Sequence, residues 1–381
     1  MFESRDYVRQ IDPSGFGYKR SFWSVVHLDP ILLLLLLMLT CFGLFVLYSA
    51  SDDGGFALKR QGMYFSVAYF VMVVVAQFPL RFYRRMAPIL YTLGVFLLVL
   101  VLLFGTGAKG AQRWLAVPGL PRFQPSEIMK LVMPLVVAWY FSHRVLPPRF
   151  KYVLAVLAII MVPTVLIAAQ PDLGTSILIA ASGFFVLLLA GLSWWYIIGA
   201  VGVLLASAWP MWHFILHDYQ KGRILTLLNP ERDRFGAGWN IIQSKTAIGS
   251  GGWSGKGWLQ GTQSQLNFLP ESHTDFIIAV IAEELGLLGV LSLLTLYLAI
   301  IARGLMISWT ASTSFNKLVA ASITLTFFVY VFVNMGMVSG LLPVVGVPLP
   351  LVSQGGTSLV TLLAGFGLLM AIATDKQHFS R

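Results

Sequence analysis

The chain has 381 residues, of which 57% are apolar and 11% charged, against about 45–50% and about 25% in soluble domains. Most of it must therefore face lipid or other helices, and its length counts membrane spans rather than soluble domains. The single cysteine, Cys41, excludes an intrachain disulfide and a thiolate metal cluster. With no soluble domain to carry a nucleic-acid footprint, the net charge of +10 points to anionic lipid and not to nucleic acid.

Residues 1–29 are charged and lack the short apolar core and small-residue cleavage site of a signal peptide, so they read as a cytoplasmic N-terminal tail. Residues 31–50 form the first predicted span, long enough at 1.5 Å per residue to cross a hydrocarbon core of about 30 Å. Further spans are predicted over 63–78, 89–104, 127–141, 153–169, 175–189, 194–216, 276–301, 318–341 and 358–373. The expectation is an all-α polytopic membrane protein, with one ten-span domain over 30–374 and a cytoplasmic C-terminal tail over 375–381. Residues 217–275 are the one long polar stretch, and they form its extracytoplasmic loop between spans 7 and 8.

Ten spans place both termini on one side, and basic residues choose which. With the N-terminus inside, the inner segments hold 14 Lys and Arg, among them Arg81, Arg84, Arg85, Arg144, Arg149 and Arg303, while short outer loops hold 5. The long outer loop adds Lys221, Arg223, Arg232, Arg234, Lys245 and Lys256, cations on the unexpected side that invite a functional explanation.

In this topology every even-numbered span begins at the outer face, where its free backbone N–H groups and positive dipole end lie. The polar motifs fall at those ends: Gln124-Pro125-Ser126-Glu127 opens span 4 and Gln170-Pro171-Asp172-Leu173-Gly174-Thr175-Ser176 opens span 6. Ser272-His273-Thr274-Asp275 opens span 8 and Ser353-Gln354-Gly355-Gly356-Thr357-Ser358 opens span 10. Four such ends brought together would make an anion site. Ordinary helix capping explains any one motif about as well, Ser272 with Asp275 resembling a capping box. Capping does not explain Glu127 with Lys130, which share a helix face about a turn inside the apolar region. A carboxylate at the edge of an apolar run is costly, which makes Asp275 the expected centre of the chemistry. Glu283 and Glu284 follow about 12 Å further along, with interhelical hydrogen bonding or protonation in place as the favoured explanation.

The run Gly249-Ser250-Gly251-Gly252-Trp253-Ser254-Gly255-Lys256-Gly257 fails the phosphate-loop pattern, because Ser250 and Gly257 stand where Gly and Ser or Thr are needed and no strand precedes it. A mobile outer loop is expected there, although Arg232, Arg234, Lys245 and Lys256 interleaved with Trp239, Trp253 and Trp258 would suit phosphate and sugar or headgroups. Protease, zinc and esterase signatures are missing from the sequence.

The segments Gly110-Ala111-Gln112-Arg113-Trp114-Leu115, Gln124-Pro125-Ser126-Glu127, Gln170 to Ser176, the loop from Asn229-Pro230 to Gln265, His273-Thr274-Asp275-Phe276 and Pro350-Leu351-Val352-Ser353-Gln354-Gly355-Gly356 together closely resemble the SEDS family, in order and over nearly the whole chain. The resemblance implies a ten-span inner-membrane glycosyltransferase that polymerises lipid II into peptidoglycan, here for side-wall elongation, with Asp275 as the essential acid. Glu127 and Lys130 match the family's functional pair and Arg113 lies in its outer motif. The candidate substrate-binding residues are Glu127, Lys130, Arg113, Asp172, Lys245, Ser353, Gln354 and Thr357. The implied substrates are lipid II and undecaprenyl-diphosphate-linked glycan. A class B penicillin-binding protein transpeptidase and other elongation-complex membrane proteins are the implied partners.

The implied reaction makes a β-1,4 bond from an α-linked donor, an inversion that needs one base and no covalent intermediate. Asp275 is the candidate base, and a divalent cation (Mg or Mn) held by Asp275 and the diphosphate is the competing role. Two other classes stand beside the enzyme: a lipid II flippase, which intramembrane charges would suit, and a non-catalytic membrane scaffold for a transpeptidase. Polar motifs at one face instead of midplane weigh against the flippase.

Overall fold

The computed structural model describes residues 22–51, 53–108, 111–115, 123–216, 218–233, 236–265, 268 and 271–375. Most of both predicted tails, with Lys109, Arg122 and Arg234, lies outside the described residues. Among the described residues ten long helices follow one another: α1 (Pro30–Ala50), α2 (Gly54–Gln77), α3 (Leu80–Phe104), α4 (Pro125–Ser142), α5 (Phe150–Ala168), α6 (Leu173–Leu189), α7 (Trp194–Pro210), α8 (Ile277–Thr310), α9 (Ser314–Val338) and α10 (Thr357–Thr374). Each overlaps one of the ten predicted spans, although α2 and α3 begin nine residues before the predicted starts at 63 and 89 and α8 runs nine residues past 301. By length and hydropathy alone, seven are membrane-crossing candidates, and α6 is a shorter apolar helix of the same kind. The other two, α2 and α4, carry Lys59 with Arg60 and Glu127 with Lys130, and both pack against the bundle, α2 along α10 and α4 along α3, α6 and α9.

Short polar residues set where these helices start. The Asp29 carboxylate accepts from Leu32 N at 2.8 Å and Pro30 follows at the first helical position, where its missing N–H costs nothing. Asp53, Asp172 and Thr313 cap α2, α6 and α9 in the same way. The most buried rods are α4, α9 and α10, whereas α7 buries none of its residues and faces outward all round.

Contacts at the helix ends define two faces. At one, Arg303 near the end of α8 pairs with Asp29, Gln77 Nε2 donates to Val26 O at 2.6 Å, and Asn316 Nδ2 donates to Asp375 Oδ2 at 3.0 Å. At the other, Ser272 Oγ donates to Ala50 O at 3.0 Å and Gln124 Nε2 donates to Asp172 Oδ2 at 3.0 Å. The even-numbered helices therefore all begin at the second face, which basic-residue counting makes the outer one.

Two features depart from expectation. The first is a small antiparallel hairpin, β1 (Thr106–Ala108) with β2 (Ala111–Trp114), in the loop between α3 and α4, extended by a bridge between Leu115 and Phe123. The second is in α8, which is broken at Gly286 (φ 66°, ψ −161°). From its Asp29 cap to Ser49, α1 rises ~30 Å, and the unbroken part of α8 from Leu287 to Arg303 rises ~24 Å. The pairs Asp29 with Arg303 and Ser49 with Glu284 (2.7 Å) tie α1 to α8 on both sides of that break. Residues 277–285 thus form a short helix of their own, buried in protein at the outer end, and the unbroken run of α8 starts at Leu287.

The break leaves backbone groups without helical partners, and the glycine-rich run supplies them. Lys256 N and Gly257 N donate to Glu283 O and Glu284 O, each at 3.0 Å, while Leu287 N and Leu288 N donate to Gly252 O and Trp253 O at 3.0 and 3.1 Å. The approach requires glycine: a Cβ on Gly255 (φ +77°) would sit 2.0 Å from Glu284 O. This segment, expected to be mobile, is instead tied into the fold. Trp258 stacks on Phe45 at 5.0 Å and on Tyr48 at 5.6 Å, so its ring packs against α1.

Candidate active site

The four helix starts meet at the outer end. Asp172 Oδ2 takes the Gln124 amide, joining α6 to α4, and Glu127 Oε2 accepts from Thr361 Oγ1 at 2.9 Å, joining α4 to α10. Ser353 Oγ donates to Thr274 O and Gln354 N donates to His273 O at 2.9 Å, joining the approach of α10 to the approach of α8. A Cβ on Gly174 would come 2.8 Å from Val345 and 3.2 Å from Val347, and one on Gly346 would come 3.4 Å from Asp275 Oδ2, so α6 closes the ring.

Asp275 lies in the turn before Ile277. Its backbone is held at three successive carbonyls, His273 O by Gln354 N, Thr274 O by Ser353 Oγ and Asp275 O by Asn334 Nδ2 (2.9 Å). Its carboxylate, by contrast, has neither a hydrogen bond nor an ion pair among the described residues. Burial, with a smaller contribution from the Glu271 charge, pushes its pKa up from 3.8 to about 6. A rigid backbone carrying an unengaged carboxylate that titrates near neutrality suits proton abstraction.

The Glu127–Lys130 pair sits one turn inside α4 at 2.7 Å, with Lys130 Nζ 5.2 Å from the centre of the Tyr330 ring. Beside it opens a mainly apolar cavity lined by Lys130, Tyr330, Pro348, Ser353, Gly355 and Thr361 among others. Asp275 does not line this cavity; Ser353 does, and links the two through Thr274.

Each remaining candidate has its own place. Arg113, on β2, donates to Pro171 O and lies 3.9 Å from Asp172 Oδ2, holding the hairpin over the start of α6. Asp172 is buried and also caps α6 at Thr175 N. Ser353 is buried with its hydroxyl engaged on both sides, accepting from Leu349 N at 2.9 Å, so it positions chain more than it offers a ligand group. Gln354 enters through its backbone only, and Thr357 opens α10 without a side-chain bond among the described residues. Lys245 is not part of the cluster: it is exposed, and its ammonium end lies over Gly340.

Lys256 is no free phosphate ligand, because Glu283 Oε1 takes its Nζ at 2.7 Å. Glu283 and Glu284 do bond between segments, the former to the outer loop and the latter to Ser49. Ser272 is not a helix cap, since its hydroxyl goes to Ala50 O and Phe276 occupies the cap position.

Sequence reasoning missed Asn334, whose Nδ2 holds both Asp275 O and Val347 O (2.7 Å), and Gln61, which donates to Ser353 O at 3.3 Å and accepts from Gly355 N. A lone amide inside an apolar span, as in Val331-Phe332-Val333-Asn334-Met335, was the available signal.

A divalent cation finds no group of three or more His, Cys, Asp or Glu side chains here among the described residues. Magnesium, however, is commonly bound by one or two carboxylates together with substrate phosphates, and the open Asp275 carboxylate with Glu271 nearby fits that mode.

Comparison with known proteins agrees with this architecture. Residues 29–378 match the FtsW/RodA/SpoVE family, described as cell cycle protein. The peptidoglycan glycosyltransferase MrdB of Escherichia coli (strain K12) is 55% identical over 364 residues, covering 95% of this chain and 98% of the relative. A probable peptidoglycan glycosyltransferase FtsW of Geobacter metallireducens is 36% identical over 379 residues, covering 94% and 98%. Among solved structures, a chain from a peptidoglycan synthase complex that coordinates polymerization and crosslinking superposes with a TM-score of 0.81 at 28% identity, covering 92% and 99%. The rod shape determining protein RodA of Thermus thermophilus superposes with a TM-score of 0.69 at 27% identity, covering 91% and 97%. With the family match running through all ten helices and both polar approaches to the site, the chain belongs to the FtsW/RodA/SpoVE (SEDS) family of multi-pass membrane proteins.

Proposed function

We propose that the outer end of this protein joins lipid II to a growing glycan, with Asp275 as the general base. The chain is a peptidoglycan glycosyltransferase, and the finer steps follow from what the reaction demands of these residues. The acceptor's sugar 4-hydroxyl must lose a proton as it attacks the donor's anomeric carbon, and undecaprenyl diphosphate must leave with its charge balanced. The Asp275 carboxylate takes the proton, a contribution of about 10² to 10⁴ in rate. Lys130 lies at the cavity and the outward helix starts of α4, α6 and α10 give partial positive charge, both suited to the departing diphosphate. Arg113 acts indirectly by fixing Asp172 and with it the start of α6. A divalent cation held by Asp275 and the diphosphate would supply charge neutralisation there.

The observation that carries this reading is the bare carboxylate on a backbone fixed at three carbonyls in a row. The partner suited to the solved synthase complex is a class B penicillin-binding transpeptidase, which crosslinks the strands made here. The test is polymerisation of lipid II by purified wild type and Asp275→Asn, with the partner and with divalent ion added or chelated. Loss of polymer in the variant, with monodisperse folded protein, is the expected result; full turnover by Asp275→Asn would reject both the base and the ion-holding role.

A further inference from the structure

Glu283 stands outside the reaction chemistry, yet it is the most heavily engaged carboxylate among the described residues. It is fully buried in the short helix 277–285. Its Oε1 accepts from Lys256 Nζ (2.7 Å), Thr262 N (2.8 Å), Thr262 Oγ1 (2.9 Å) and Gln263 N (3.0 Å), and its Oε2 accepts from Gln263 N at 3.2 Å. Lys256 Nζ also reaches Thr262 Oγ1 at 2.8 Å, so cation, hydroxyl and carboxylate close on one another. The groups gathered here come from the outer loop, and the helix that carries Glu283 starts two residues after Asp275.

A charge removed from water this completely is held by its donors, and removing it takes the acceptor from the Thr262 and Gln263 backbone N–H groups and the counter-charge from Lys256 Nζ, which keeps only Thr262 Oγ1. The cost would fall on the loop and on the short helix together. That helix is attached at one end by the bonds to His273, Thr274 and Asp275 carbonyls, and at the other by the Glu283 cluster and the Gly286 break. We infer that Glu283 is a positioning residue for the glycosyl transfer: through Lys256, Thr262 and Gln263 it clamps the outer loop to the helix that aims Asp275. This rests on Asp275 being the base. It makes the loop's Lys256 part of the clamp, and it explains why the glycine-rich run is closely packed at the break. Displacement of a reacting group by about 1 Å costs on the order of 10²-fold in rate, while substrate affinity, set elsewhere in the site, need not change.

The experiment measures kcat and KM for lipid II with the full chain and its partner, for Glu283→Gln, Lys256→Gln and the double variant, normalised to monodisperse folded protein. Glutamine keeps the volume but brings N–H donors against Thr262 N and Gln263 N. The expected result is kcat lowered by about 10-fold or more with KM within about 2-fold, faster hydrogen exchange over residues 256–263, and a double variant no worse than Glu283→Gln alone, as for residues acting through one contact. Unchanged kcat per folded enzyme, a rise in KM alone, or additive losses would overturn it. If Glu283→Gln does not yield folded protein, Lys256→Gln, whose ammonium is partly exposed, is read by the same criteria of kcat, KM and loop exchange. Asp275→Asn run alongside separates the two readings: an active Asp275→Asn removes the base, whereas an inactive one beside a normal Glu283→Gln removes only the clamp.

Discussion

Asp275 combines a fixed backbone with a carboxylate that burial holds near pKa 6, and both consequences can be measured. As the proposed base, Asp275 must be ionised, so activity should fall as pH drops below about 6, and that acid limb should be absent from any residual turnover of Asp275→Asn. Stability runs the opposite way. A carboxyl pKa raised in the fold favours the protonated form, so this group's stabilising contribution is full below about pH 4 and is lost as pH rises through about 6. Asp275→Asn should therefore melt above wild type at pH 7.5 and close to it at pH 4, as thermal unfolding in detergent would show. Lys130 is the contrasting case. Breaking a buried pair from one side costs about 3–5 kcal/mol, because the remaining charge is stranded. Lys130→Met should be strongly destabilised, and the double variant Glu127→Gln with Lys130→Met should recover part of that loss.

At the scale of elements, the instructive segment is α8. Its apolar run from Phe276 onward reads as one span, and hydropathy cannot distinguish a helix buried in protein from one buried in lipid. What separates them is the left-handed Gly286 and the polar backbone of residues 252–257, brought there by tertiary contacts that no periodicity records. Gly255→Ala should therefore act like a core mutation despite its loop position, with a cost on the order of 1–3 kcal/mol from backbone strain and a lost fit against Glu284 O. A lower melting temperature with faster exchange at Leu287 and Leu288 would register it. The ten helices and the polar starts of α4, α6, α8 and α10 were legible because apolar runs and their polar punctuation are local properties. Asn334 and Gln61 were not singled out, since an amide within a span looks alike whether it holds a neighbour or a catalytic turn. Lys256 and Lys245 were grouped with a phosphate surface by charge alone, whereas Lys256 goes to Glu283 and Lys245 to the end of α9. The hairpin 106–114 was missed because its strands are very short.

For the whole molecule, the two faces divide the labour. The face with Asp29, Arg303 and Asp375 closes the bundle with the Asp29–Arg303 ion pair and side-chain hydrogen bonds between helices. The opposite face gathers the helix starts, the unengaged carboxylate and the tethered loop. This arrangement suits the proposed transfer only if that second face looks out of the cell, on the side where the proposed lipid-linked substrates would meet it. The direct measurement is labelling with a membrane-impermeant maleimide in spheroplasts, in a background where Cys41 is replaced by alanine. Cysteine introduced for the exposed Trp253, next to the Glu283 clamp, should label in intact spheroplasts, and cysteine introduced for Arg84 should label only after the membrane is opened. The reverse pattern would put Asp275 on the cytosolic side and contradict the account.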